Sequence, residues 1–354
     1  MKPSSSKEKY LLIAERLRIT TGQEYIKPQV AIEQKNLKSD GYTAIGTLGN
    51  FILLNGKAKS RKSFLVAALV SAVASDDLIL DIYKGQLPKE QRNVIYFDTE
   101  QGKYHVQLAL KRICKQLNID KVENLDVYYL RGLKPNERLE FIEAIIYDKK
   151  NLGFVVIDGI RDLVTSINDE EQATKISSKL LKWSEERNIH IVVVLHQNKG
   201  NNNARGHLGT ELVNKAEMVL SVTKQARNED ISIVKPEYSR GIQPEPFAFK
   251  IIDGLPSIVD KFSEKIAKST RAGTLESLKD EEKQRLLKDV YSDVPSFMYR
   301  ELVSQIKSSY NKLHEESVGD NQAKSFITEC KEKKWILQKT HKGKYILSSS
   351  LEPP

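Results

Sequence analysis

The chain has 354 residues, with 56 Lys and Arg against 47 Asp and Glu and a formal net charge of +9. Hydrophobic residues at 40% and charged residues at 29% give a globular balance, and no run approaches the roughly 20 apolar residues of a membrane span. Cys114 and Cys330 form no C-x-x-C pair, which argues against a disulfide framework or a zinc site, and MKPSSSKEKY lacks the apolar core of a secretory signal, so a cytoplasmic location is expected.

The positive excess suits a polyanionic partner such as DNA, because Lys and Arg release counterions from phosphates. Plain solubility explains it equally well. Taken from the N-terminus, residues 7–19 carry Leu11, Leu12, Ala14 and Leu17 at helical spacing, which predicts an amphipathic helix ended by Gly22 and Pro28. From about Gly46, short apolar runs alternate with polar turns and longer stretches of helical period, the pattern of βαβ units around a parallel sheet. Strands are expected at 51–54, 94–97, 127–130, 154–157, 190–195, 219–222 and 231–234, and helices at 62–75, 104–117, 136–147 and 173–188. This divides the chain into a helical segment (1–35), an α/β domain (36–255), a Lys-, Glu- and Ser-rich linker (256–280) and a small C-terminal module (281–354). The module reads as helices at 281–291, 298–313 and 321–334, followed by a hairpin in WILQKTHKGKYILS.

The stretch NGKAKSRKSF follows a predicted strand and opens a predicted helix, the setting in which backbone N–H groups converge on phosphate oxygens. Its eight motif positions are Gly56, Lys57, Ala58, Lys59, Ser60, Arg61, Lys62 and Ser63. In that motif Gly56 would permit the turn, Lys62 would neutralise the β- and γ-phosphates of a nucleoside triphosphate, and the Ser63 hydroxyl would ligate Mg²⁺. Arg61 stands where G-x-x-x-x-G-K-[ST] requires glycine. Either its side chain points outward and leaves the amide in place, or it narrows the site; a basic surface turn that merely resembles the motif is the bland alternative.

Three further runs end predicted strands in polar groups. NVIYFDTEQG places Glu100 where a carboxylate can polarise an attacking water, and GFVVIDG ends in Asp158, suited to hold Mg²⁺. IVVVLHQNKG ends in His196 and Gln197. A histidine after a strand is more often structural than catalytic, so Gln197 is the preferred γ-phosphate sensor.

Together these runs resemble the RecA-like P-loop ATPases, particularly the ring-forming replicative helicases of the DnaB and plasmid RepA kind, over roughly residues 40–255. The resemblance implies a mostly parallel central sheet flanked by helices and an ATP- and Mg²⁺-dependent hydrolase. In it Glu100 is the catalytic base, Asp158 the Walker B aspartate and Gln197 the sensor. NKGNNNARGHLG, with Lys199 and Arg205, matches the segment that faces DNA in those helicases; a solvated Asn-rich loop is the alternative. VKPEYSRGIQPEPFAF matches the strand that carries an arginine finger to a neighbouring subunit, which makes Arg240 the finger, although Tyr238 replaces the family's lysine two residues earlier. A homo-oligomer, by resemblance a hexamer around single-stranded DNA, would follow; the amphipathicity of the 7–19 helix alone suggests that it packs on a neighbouring subunit. The rival reading is a non-hydrolysing, nucleotide-gated DNA-binding initiator, loader or regulator.

The C-terminal module resembles the winged-helix domains of replication and mobile-element proteins. Asp320 is expected to cap a helix that turns Ala323, Phe326, Ile327 and Cys330 inward and Lys324 and Lys331 outward. Lys339, Lys342 and Lys344 cluster at the hairpin tip, suited to duplex DNA phosphates, and Trp335 is expected in the core. A charged face that is only solvated, or that binds protein, is the alternative.

Overall fold

The computed structural model describes residues 6–196, 206–225, 228–259, 275, 278–314, 318–338, 340 and 343–349. The chain divides into two compact units, residues 1–223 with 232–258, and residues 259–354 with 224–231.

The first unit runs α1 (Ser6–Leu17), β1 (Val30–Lys35), β2 (Tyr42–Thr47), β3 (Phe51–Gly56), α2 (Lys62–Ala74), β4 (Leu78–Ile79), β5 (Tyr83–Gly85), β6 (Asn93–Asp98) and α3 (Lys103–Leu117). It continues with β7 (Leu125–Tyr129), α4 (Pro135–Asp148), β8 (Leu152–Asp158), α5 (Glu170–Arg187), β9 (His190–His196), α6 (Gly206–Lys215), β10 (Met218–Gln225), β11 (Asn228–Ser239), β12 (Phe247–Ile252) and β13 (Leu255–Ile258). The large sheet has the order β13-β12-β11-β10-β3-β9-β8-β6-β7. From β10 to β7 every pairing is parallel, as the apolar runs predicted.

Strand alternation serves both faces of this sheet. Ile52 and Leu54 pack with α2 and α3, while Phe51 and Leu53 pack with α4, α5 and α6. Helix α2 is apolar on every side, and residues 65–73 are all buried, so it needs a second cover besides the large sheet. That cover is a smaller sheet of order β2-β1-β5-β4, whose strands the sequence did not suggest.

The second unit contains α7 (Asp280–Val290), β14 (Ser296–Phe297), α8 (Tyr299–His314), α9 (Asp320–Glu332), β15 (Ile336–Gln338) and β16 (Tyr345–Leu347). Its strands form a sheet of order β14-β16-β15. Ala323, Phe326, Ile327 and Cys330 are buried, and Trp335 lies with them in one core. The buried Lys283 ammonium of α7 is held by both Glu329 oxygens of α9 at 2.7 and 2.9 Å. Asp320 does not cap α9. The cap is Gly319, whose N–H donates to the Gln322 side chain, and Asp320 is the first helical residue, paired with Lys307 at 2.7 Å.

At the starting end of β9 the ring of His190 is fully buried. Its Nδ1–H donates to the Thr47 carbonyl at 2.8 Å, while Nε2 has no partner among the described residues and faces Gly46, where a Cβ would lie 2.4 Å away. Burial holds the imidazole below its usual range. The folded chain therefore resists a proton that the unfolded chain accepts, so stability present above about pH 6.5 is lost as pH falls below it. Thermal unfolding of the wild type should show a midpoint that drops by up to about 4 °C per pH unit between pH 6.5 and 5.5, with a shallower slope in His190→Asn. Equal slopes in the two proteins would refute this assignment.

Candidate functional site

The register of the parallel sheet brings the strand ends together in two pairs, the second set two residues back because Asp158 stands opposite Val194 of β9. Gly56 of β3 lies opposite His196 of β9, and Asp158 of β8 lies opposite Asp98 of β6. These ends surround a cavity of about 380 Å³ whose lining includes Lys62, Ser63, Glu100, Gln101, Asp158 and His196. The candidates Lys62, Ser63, Glu100 and Asp158 therefore share one site, and His196, placed second to Gln197 in the sequence reading, joins them. Gln197, Lys199 and Arg205 lie outside the described residues.

Strand β3 feeds the loop of residues 57–61, which leads directly into α2. Gly56 is required by a close approach rather than by its torsions, since a Cβ there would meet the Val222 carbonyl oxygen at 2.4 Å. Lys57, Ala58 and Lys59 are exposed and Ser60 is buried. The Lys62 side chain folds back over the loop, and its Nζ donates to the carbonyls of Gly56 and Lys57, both at 2.9 Å, and to His196 Nδ1 at 3.1 Å. Burial lowers the ammonium to about 8, against the opposing pull of Asp158 and Glu100.

Arg61 resolves the alternative left open by its identity. It adopts the left-handed conformation, φ 71° and ψ 28°, that the glycine of the motif would favour. Its guanidinium reaches β11, where Nη1 donates to Ser232 Oγ at 3.3 Å, and Ser232 in turn donates to the Ser60 carbonyl at 3.2 Å. The side chain is thus anchored on the sheet beside the loop, a contact that the sequence carried no signal for.

The carboxylates are positioned from below. The Tyr96 hydroxyl, buried in β6, donates to Asp158 Oδ2 at 2.8 Å. Asp98 is fully buried and accepts from the backbone N–H groups of Glu100 at 3.0 Å and Gln101 at 2.8 Å, and from the Gln101 amide at 2.8 Å, a turn that sets where Glu100 emerges. Burial and the neighbouring Asp98 charge raise Asp158 to about 6, while Glu100 is held below its usual range chiefly by a hydrogen bond from His196. Tyr96 and Asp98 escaped the sequence reading; a Tyr and an Asp within the otherwise apolar run V-I-Y-F-D were the available signal.

Two observations fit this site to a triphosphate and a divalent cation. Ser60 Oγ is buried in the loop without a hydrogen-bond partner among the described residues, and the N–H groups at the start of α2 have no intrahelical acceptor. Asp158 and Asp98 bring two buried carboxylates together, an arrangement a cation relieves. Among the described residues no three His, Cys, Asp or Glu side chains form a metal cage. Mg²⁺ takes few protein ligands and completes its shell with phosphate and water.

Arg240 lies elsewhere. Its N–H donates to the Glu217 carbonyl and its Nη2 to the Lys215 carbonyl, and Glu217 N–H bonds to Phe51 at the start of β3. Five residues of strand, about 17 Å, separate that end from Gly56. In the second unit Lys324 and Lys344 are exposed, and Lys331 lies over the Tyr345 ring at 5.7 Å; Lys339 and Lys342 fall outside the described residues.

Residues 43–202 match the family model of the AAA domain. Solved structures with a similar backbone include a KaiC-like protein from the hyperthermophilic archaeon Pyrococcus horikoshii (14% identity, 60% of this chain and 90% of that chain, TM-score 0.44). The RadB recombinase (14%, 60% and 92%, 0.43) and a separately solved ATPase domain (12%, 60% and 85%, 0.45) are others. No curated protein sequence matches the chain. Sheet order and the strand–loop–helix through Gly56 and Lys62 define an α/β fold with a mostly parallel central sheet, and residues 43–202 are similar to the AAA domain.

Left-handed torsions cost a non-glycine residue about 1–2 kcal/mol. Arg61→Gly is therefore expected to raise stability by about 1 kcal/mol, a midpoint shift of about 2–4 °C, without loss of nucleotide affinity. A lower midpoint or weaker binding would show that the arginine supports the loop.

Proposed function

We propose that the protein is a Mg²⁺-dependent ATPase that assembles into a closed homo-oligomeric ring, a hexamer by resemblance, and couples hydrolysis to movement along or remodelling of DNA. The observation that carries this reading is the convergence of Lys62, Ser63, Asp158 and Glu100 on one cavity at the end of a phosphate-binding strand–loop–helix. Ser63 and Asp158 would hold the Mg²⁺, which supplies charge neutralisation between the phosphates. Lys62 gives up a resting hydrogen bond to reach phosphate oxygens, and Glu100 orients and polarises the attacking water.

Arg240 is too far from its own cavity to act there, which supports a finger that serves the neighbouring subunit. The exposed side chains of Tyr10, Leu11, Leu12 and Leu17 on and around α1 offer an apolar surface for that neighbour. The helix–strand–helix–helix–hairpin order of the second unit supports a winged-helix module, with Lys324 and Lys344 available to duplex phosphates. Single-stranded DNA would pass through the ring and touch Lys199 and Arg205.

Phosphate release measured with and without single-stranded DNA tests the enzyme. Lys62→Ala and Glu100→Gln should each lose at least about 100-fold, and chelation of Mg²⁺ should abolish turnover; nucleotide binding with no Lys62-dependent turnover would favour the non-hydrolysing regulator. Mixing Lys62→Ala with Arg240→Ala protein tests the finger. Each is inactive alone, and the mixture should recover activity because intact cavities meet intact fingers. Deleting residues 1–27 should weaken assembly in sedimentation while leaving the folded body intact; unchanged assembly would remove α1 from the interface.

A further inference from the structure

We propose that His196 is a positioning residue that latches the nucleotide-free site, holding Lys62 and Glu100 in resting places until phosphate oxygens take the Lys62 ammonium. The inference rests on the P-loop reading above and adds a control element to it. An ammonium can only donate, so His196 Nδ1 accepts from Lys62 at 3.1 Å, and the ring proton sits on Nε2, which donates to Glu100 Oε2 at 3.1 Å. One imidazole thus joins the phosphate-binding cation to the candidate base.

The resting bonds compete with function on both sides. Lys62 has three protons, and all three are engaged, by Gly56, Lys57 and His196, so contact with phosphate must break at least one of these bonds. The carbonyls belong to the loop backbone, whereas the histidine is a side chain that can turn. Glu100 is engaged through its carboxylate, and a carboxylate that accepts from an N–H is a weaker base. The side chains of His196 and Glu100 are 35% and 55% exposed, so packing does not fix either one and their mutual bond does much of the positioning. When Lys62 moves to phosphate, Nδ1 loses its donor, the polarised chain from ammonium to carboxylate is broken, and Glu100 becomes available to water.

Removing the ring should therefore favour the nucleotide-bound arrangement. In calorimetry with Mg²⁺ and a non-hydrolysable ATP analogue, His196→Ala is expected to bind about fivefold more tightly than wild type. His196→Gln, which keeps a donor and an acceptor, should fall between them. Nitrogen-15 NMR of the wild type should show the Nε2–H tautomer without nucleotide and a changed ring environment with the analogue. A purely structural role would lower melting temperature and affinity together, and direct γ-phosphate contact by His196 would weaken analogue binding at an unchanged melting temperature; either pattern overturns the latch. If wild type binds the analogue and His196→Ala matches it in affinity, only the latch fails. If wild type binds no nucleotide, the P-loop reading fails with it.

Discussion

A buried ammonium must find acceptors or give up its proton, and the way Lys62 finds them organises the upper end of the sheet. It is the first residue of α2, so to reach the carbonyls of Gly56 and Lys57 it turns back over the loop and closes it into a ring. The carboxylates of Asp158 and Glu100 help keep its proton in place, and it lowers the cost of their own partial burial. Compensation is incomplete at Asp158, which stays raised to about 6 even with the Tyr96 hydroxyl bonded to it. The remaining deficit lies on the anionic side, where a divalent cation would be most favourable.

Rigid support for this loop comes from the apolar helix behind it. Because α2 is covered by the large sheet on one side and by the small β2-β1-β5-β4 sheet on the other, its axis has little freedom, and its N-terminal N–H groups keep their aim. The small sheet is secured over long sequence distances. The buried Gln34 side chain donates to the Glu245 carbonyl at 2.7 Å, and the Glu245 carboxylate accepts from the backbone of Leu37 at 2.6 Å. Helix position, loop shape and Lys62 placement thus depend on residues near both ends of the domain.

What the sequence reveals and conceals follows from the range of the interactions. The parallel strands were readable because burial on both faces demands continuous apolar runs, and the amphipathic helices between them because one face meets the sheet. The small sheet was not, since β1 and β2 mix polar with apolar residues, β4 and β5 are two and three residues long, and their pairing is set by distant contacts. In the site, Lys62 and Ser63 at the start of α2 and Glu100 and Asp158 at or just past strand ends could be picked out by motif. The roles of His196, Tyr96 and Asp98 depend on which residue stands level with which across β3, β9, β8 and β6, and a single chain does not display that register. Arg61 shows the same limit, because its partner Ser232 is 171 residues away. Asp320 failed as a cap for a local reason: Gly319 and Gln322 satisfied the helix start one residue earlier.

The two ends of β3 perform different tasks, and that separation bears on assembly. At the upper end polar groups turn inward on a cavity. At the lower end the Glu217 carboxylate accepts from the Thr47 N–H and hydroxyl at 3.0 and 2.8 Å, while its backbone oxygen accepts from Arg240 N–H. Arg240 is therefore held through its main chain and one contact to the Lys215 carbonyl, which leaves an exposed guanidinium on a firmly tied backbone. A group that must meet a neighbouring molecule is best presented in this way, because little ordering entropy remains to be lost on contact. In the ring proposed above, the charge that reaches the cavity from outside the subunit would come from a second copy oriented so that the lower end of one β3 approaches the upper end of another. Such a head-to-tail contact is heterologous, and repeated around an axis it closes into a ring or, without closure, extends as a filament.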